Sequence, residues 1–273
     1  VKAYGYGHGI GEFSRILEDN GTDYLAVAYP SEGVAIRQAG VNLPVIVLSG
    51  GMEHYETLIK NRLEPSLPCM DAFKRFASVA AALGEKAYPI HIKLDTGMHR
   101  LGFEQDGLRT LTQELPLARS VRIASVFSHF VASGDPQHDD FTRTQMARFE
   151  ALSSFLMNHL DYKPIRHLLN SPGIERFSKE AQYDMVRLGI GIYGMSYVDK
   201  SLLRPTAYLK TPVLQVKTIA EGETVGYARA GKITRPDTRI ATLAIGYADG
   251  VNRHLSGGKA CFSVNGHGAP TIG

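Results

Sequence analysis

Cysteine is scarce. Only Cys69 and Cys261 occur in 273 residues, far apart, which excludes a disulfide framework and any zinc site of paired cysteines. That scarcity favours a reducing compartment and hence a cytoplasmic protein. No apolar run approaches the roughly 20 residues needed to span a bilayer, and no signal peptide is legible in these residues. Charge of one sign never gathers into a block. With Lys+Arg 30 against Asp+Glu 27 the formal net charge is +3, and no basic patch exists of the kind nucleic acid requires. Internal repeats and low-complexity tracts are missing too. What remains, 44% hydrophobic and 21% charged residues, is an ordinary globular composition with room for a large barrel or two domains.

Along the chain, short apolar runs alternate with amphipathic stretches. Strands are expected at Tyr24–Ala28, Val45–Leu48, Leu63–Leu67, Ile90–Asp95, Ile123–His129, Ile165–Leu169 and Asp184–Leu188. Helices are expected after Ser31-Glu32, over Asp71 to Leu83 with Gly84 as its stop, and over Thr142 to Leu160. Strand–helix alternation predicts parallel βαβ units. Seven such strands, plus one in a segment missing before Val1, would make a TIM-type (β/α)8 barrel over residues 1–207. After that point the texture becomes β-like without a helical period. Residues 208–273 read as a smaller all-β C-terminal domain, cut short at Gly273.

In such a barrel, chemistry sits at the carboxyl ends of the strands. Lys2, Lys93, Asp95, His129, Asn170, Ser171 and Arg187 fall there if the strands are as predicted. Lys2 opens a glycine-rich turn, Val1-Lys2-Ala3-Tyr4-Gly5-Tyr6-Gly7-His8-Gly9, which suits an amine condensing with an aldehyde. Arg100, in the run from Lys93 to Gly102, can clamp a carboxylate with two parallel hydrogen bonds. Asn170-Ser171 closes a strand and leads to a helix start, where a hydroxyl and free amides suit a phosphate, although an ordinary helix cap reads equally from the dipeptide. Gly189, Ile190 and Gly191 form a turn whose backbone can approach an anion. His91, His138 and His254 form no metal set with His129 and His167, and no metal is expected.

The order of six runs then points to a family. The lysine turn, Lys93–Gly102, Ser128-His129-Phe130, His167–Ser171, Asp184–Ile190 and Ile245–Gly250 resemble, in sequence, the alanine racemases that depend on pyridoxal 5'-phosphate (PLP). The resemblance implies L/D-alanine interconversion for peptidoglycan by a two-base proton transfer, with Lys2 carrying the cofactor and Tyr247 as the opposing base. It implies that Tyr6, Ser171, Gly189 and Ile190 hold the phosphate, with Asn170 beside them, and that Arg187 faces the pyridine nitrogen with His129 and His167 behind it. Arg100 would contact cofactor and substrate carboxylate, and Lys93 would be the lysine often carbamylated in the family. A head-to-tail homodimer with shared sites follows, Tyr247 coming from the neighbour. Racemisation of serine or lysine, or a PLP-binding barrel without turnover, are the alternative readings. A decarboxylase is disfavoured, because Arg187 stands where an acid would pair with the pyridine nitrogen.

Overall fold

The strands form where β-branched and aliphatic residues run together between turn signals. In β2 (Val45–Val47), for example, all three residues are buried, as expected for a strand covered on both faces. The computed structural model describes all 273 residues and divides into two units, Val1–Thr206 and Ala207–Gly273. The first unit begins with a single turn, α1 (Lys2–Tyr6), and a helix, α2 (Ile10–Asp19). There follow β1 (Leu25–Val27), α3 (Pro30–Gln38), β2, α4 (Tyr55–Lys60), β3 (Glu64–Leu67), α5 (Met70–Ala82), β4 (Tyr88–Lys93), α6 (Gln105–Glu114), β5 (Val121–Phe127), α7 (Asp139–Met157), β6 (Ile165–His167) and α8 (Ser171–Ala181). The six strands pair in parallel in their chain order. This is the strand–helix series of a TIM-type barrel.

Helices cover the sheet with one apolar stripe each. In α5, Ala72, Phe73, Phe76 and Ala80 are buried, the spacing of one helical face. Their partners in the core include Ile90, Ile92, Leu108, Leu111, Ile123, Phe149 and Leu156. Burying each such side chain stabilises by about 1.5–3 kcal/mol before entropy is counted.

One expected strand is corrected. Asp184–Leu188 touches the sheet through a single parallel bridge, His167 to Met185, and is not a strand of its own. The reason lies in Asp184, whose carboxylate takes the Arg166 N–H at 2.8 Å, a donor that a neighbouring carbonyl would otherwise have accepted. Backbone bonds from Asp184 to Arg166 and from Arg187 to Leu169 still hold the segment beside β6.

The second unit has only short strands and 3₁₀ turns. Its elements are β7 (Val213–Ile219), β8 (Thr224–Val225), β9 (Gly231–Lys232), β10 (Thr238–Leu243), β11 (Cys261–Val264) and β12 (His267–Pro270). Three antiparallel pairs form, β7 with β10, β8 with β9, and β11 with β12. No helix of the chain is long and apolar enough to cross a membrane.

Candidate active site

Four cations converge at the carboxyl ends of the strands. Lys93 is the last residue of β4 and is buried. Burial first, then the charges of Arg100 and Arg187, pull its pKa down to about 8, with Asp95 opposing. His129 follows β5, and burial with the fields of Arg187, Lys93, Lys2 and Arg100 drives its pKa down to about 3. The imidazole therefore registers Lys2, Lys93, Arg100 and Arg187 as neighbours in one electrostatic environment. Asp95 is the acid among them, and its Oδ1 is spent accepting N–H bonds from Gly97, Met98 and His99. Its other neighbours His99 and Glu104 bring ligand atoms within 4.8 Å, an acidic grouping with no further sign of a metal. Uncompensated positive charge of this kind attracts an anionic ligand.

Arg187 is held from many sides. Its guanidinium donates to the carbonyls of His167, Ser128 and Leu168, and Nη1 lies 2.6 Å from His167 Nδ1. Burial lowers its pKa to about 10, so the group stays charged at neutral pH. The Phe127 ring lies under it at 5.3 Å and stacks on His167 at 5.0 Å. His167 is fully buried, and burial, then Arg187, then His91 hold its pKa well below the usual histidine value.

Arg100 rides on a loop closed at its base. Phe103 donates to Lys93 O at 2.8 Å, and Asp95 donates to Phe103 O at 3.0 Å. The closure requires Gly102, at φ +141°, because a Cβ there would collide with the backbone of Leu94 and Asp95. The Arg100 side chain is exposed.

A second grouping surrounds Ser171. Its Oγ accepts N–H bonds from Gly189 at 2.9 Å and Gly191 at 3.1 Å. With both acceptor sites engaged, the hydroxyl hydrogen remains free to donate. Ser171 is also the first residue of α8, where the helix dipole favours an anion. The turn Ile190–Tyr193 follows, and Tyr193 packs edge-on against Tyr6 at 5.1 Å and stacks on Phe13 at 5.2 Å. Tyr6 thus lies against the turn that follows Gly189, and Ser171 holds the N–H groups of Gly189 and Gly191. Asn170 is different. Its Oδ1 caps α8 by accepting from Gly173 N at 3.0 Å and also accepts from the Ser133 hydroxyl at 2.7 Å, so it sets the helix start.

Lys2 begins α1 and is exposed. Within that turn Ala3, Tyr4, Gly5 and Tyr6 all have positive φ, between 52° and 61°. Four consecutive left-handed residues, three of them not glycine, are costly, and such strain collects at functional sites. Nothing in the composition of the turn announced this. Tyr247 lies in the second unit, in a short 3₁₀ turn over Tyr247–Asp249, with 63% of its surface exposed. Asp249 fastens the turn by accepting from Gly246 N at 2.9 Å. Sequence reasoning passed over Glu64 and Ser125 and weighed His91 only as a metal ligand, yet hydrogen bonds join all three to Arg187 through His167. The legible signal was polar residues inside predicted strands, since buried polar groups must find partners.

The profile of the alanine racemase N-terminal domain matches residues 1–197, and that of the alanine racemase C-terminal domain matches residues 206–273. The chain belongs to the alanine racemase family. Alanine racemase 2 of Caldanaerobacter subterraneus subsp. tengcongensis is 35% identical over 280 aligned positions, covering 100% of this chain and 71% of that protein. Alanine racemase 1 of Clostridium acetobutylicum is 36% identical, covering 100% of this chain and 71% of its own length. Among solved structures, the alanine racemase from D-cycloserine-producing Streptomyces lavendulae superposes with a TM-score of 0.89 at 27% identity, covering 100% of this chain and 73% of that one. The alanine racemase of Bartonella henselae, solved with covalently bound pyridoxal phosphate, gives a TM-score of 0.82 at 28% identity, covering 99% of this chain and 74% of that one.

Proposed function

We propose that this chain is a PLP-dependent alanine racemase, interconverting L- and D-alanine and so supplying D-alanine for peptidoglycan in the cytoplasm. The observation that carries the reading is the convergence of Lys93 and Arg187 on the Phe127 ring, at 6.0 and 5.3 Å, with His129 Nδ1 3.4 Å from Arg187 Nη2. It fits the cofactor. The phosphate is a dianion suited to the free Ser171 hydroxyl and the α8 N-terminus, and the amine of Lys2 suits its aldehyde.

When bound, the cofactor supplies an electron sink for the bond being broken at the substrate α-carbon. The protein supplies the rest. Tyr6, Ser171, Gly189 and Ile190 would hold the phosphate, with Asn170 fixing where the helix begins. Arg187 would face the pyridine nitrogen as a permanent donor, with His129 and His167 kept neutral behind it. Its permanent charge would disfavour a proton on that nitrogen. Arg100 grips the substrate carboxylate. Lys93, whose pKa near 8 leaves part of it a neutral amine, suits carbamylation by carbon dioxide. The resulting anion would offset the surrounding cations and steady Arg100.

Lys2 and Tyr247 exchange protons with opposite faces of the α-carbon. Tyr247 belongs to the site of a neighbouring copy in a head-to-tail homodimer, which makes each site a product of two chains. The test combines a visible spectrum with PLP and racemisation assays on L-Ala, L-Ser and L-Lys. The proposal expects a cofactor band lost in Lys2→Ala and loss of optical rotation fastest with alanine. Colour without loss of rotation would make the chain a binder, and preference for another amino acid would change the substrate.

A further inference from the structure

A line of hydrogen bonds runs from Arg187 through the interior. Arg187 Nη1 lies 2.6 Å from His167 Nδ1, and His167 Nε2 lies 2.8 Å from Ser125 Oγ. Ser125 Oγ is 2.6 Å from His91 Nδ1, and His91 Nε2 is 2.8 Å from Glu64 Oε2. His91 and His167 are 0% exposed, Ser125 1% and Glu64 9%. The residues follow the sheet. His91 stands opposite Ser125 in register, His167 is paired two residues further along β5, and Glu64 starts β3. The line thus climbs four adjacent strands, from the amino end of β3 to the carboxyl end of β6.

Elementary chemistry fixes its direction. A guanidinium has five donors and no acceptor. His167 Nδ1 must therefore accept from Arg187, and its hydrogen must sit on Nε2. That hydrogen donates to Ser125 Oγ, whose own hydrogen is turned to His91 Nδ1. His91 then carries its hydrogen on Nε2 and donates to Glu64. If His91 were doubly protonated, Ser125 would receive two donors and its hydroxyl hydrogen would lack a partner in a dry interior, which is costly. Every hydrogen points from Arg187 toward Glu64, and only an acceptor can end the line. Aligned bonds of this kind polarise one another.

We propose that Glu64, His91 and Ser125 are positioning residues for Arg187: they form a one-way relay that locks His167 as the Nε2–H tautomer and so keeps an acceptor lone pair against the guanidinium. The relay holds the arginine's orientation and its role as donor. The catalytic meaning of this rests on the reading of Arg187 as the group facing the pyridine nitrogen. Tyr24 and Arg37 also lie close enough to Glu64 to feel its charge, which is why a charge-neutral test of the carboxylate is preferred over a pH titration.

The experiment uses the full chain labelled with ¹⁵N-histidine, first without and then with added PLP. NMR should find His91 and His167 neutral and protonated at Nε2 alone. Glu64→Gln keeps an acceptor but removes the charge, and it should move the His167 ring resonances although two groups intervene. In a Ser125→Ala background the same Glu64→Gln change should leave His167 unmoved. Glu64→Gln should also weaken PLP binding and shift the absorbance of the bound cofactor. A proton on His167 Nδ1, or His167 resonances indifferent to Glu64→Gln, overturns the relay. If a variant does not fold, the tautomers of the unaltered chain still decide. A wild-type chain with the stated tautomers but no affinity for PLP would sink the functional reading and leave the relay standing.

Discussion

His129 illustrates how a single residue records a whole field. Its folded pKa is about 3 against 6.5 in the unfolded chain, because burial and four neighbouring cations disfavour the imidazolium. Between those values the unfolded state binds a proton that the folded state does not, so stability falls as pH drops below 6.5. His129→Asn removes that titration. Urea midpoints measured from about pH 7 down to about pH 4 should therefore decline less steeply in the variant. A slope identical to wild type would remove His129 from the acid response and leave it to other buried groups such as His167. Gly102 makes a purely steric case. Gly102→Ala forces a side chain into φ +141° and into the backbone of Leu94 and Asp95, and it should cost more than about 2 kcal/mol by chemical denaturation. If the variant folds, KM for alanine should rise more than kcat falls, because the loop carrying Arg100 is displaced while Lys2 is untouched.

Elements carry the next level of the argument, and α8 is the one on which the phosphate grip depends. Asn170 caps it, so Asn170→Ala should destabilise by about 1 kcal/mol, and Asn170→Asp, which keeps an acceptor oxygen, should recover most of that loss. Thermal unfolding with and without PLP checks both, since a shifted helix start also misplaces Ser171. The elements were legible where patterning was strong. Val45–Leu48, Asp71–Leu83 and Thr142–Leu160 appear as Val45–Val47, Met70–Ala82 and Asp139–Met157, with ends displaced as caps and first turns dictate. Asp184–Leu188 failed because a side chain, not the backbone, took the pairing donor of Arg166. The left-handed turn after Lys2 was invisible, since alanine and tyrosine carry no preference for positive φ. Motif order led to Lys2, Arg100, Ser171 and Arg187. It could not show that His91, weighed only as a metal ligand, lies between Glu64 and Ser125, because that relation exists only once β3, β4 and β5 are in register.

At the scale of the whole molecule, the proposed chemistry needs residues from two units and two copies. Lys2 stands in Val1–Thr206 and Tyr247 in Ala207–Gly273. If each site takes its lysine from one copy and its tyrosine from the other, inactive Lys2→Ala and Tyr247→Phe chains should rescue each other. Mixed after mild dissociation, half of the dimers pair unlike chains, and one site in each such dimer regains both groups. Racemase activity should return to about one quarter of wild type. It should also fall on dilution, as association sets the number of complete sites. Sites built within single copies predict no rescue at any mixing ratio, since every site would then keep its own defect. The two arrangements thus differ in a yes-or-no outcome, and the size of the recovered fraction reports whether exchange between copies is complete.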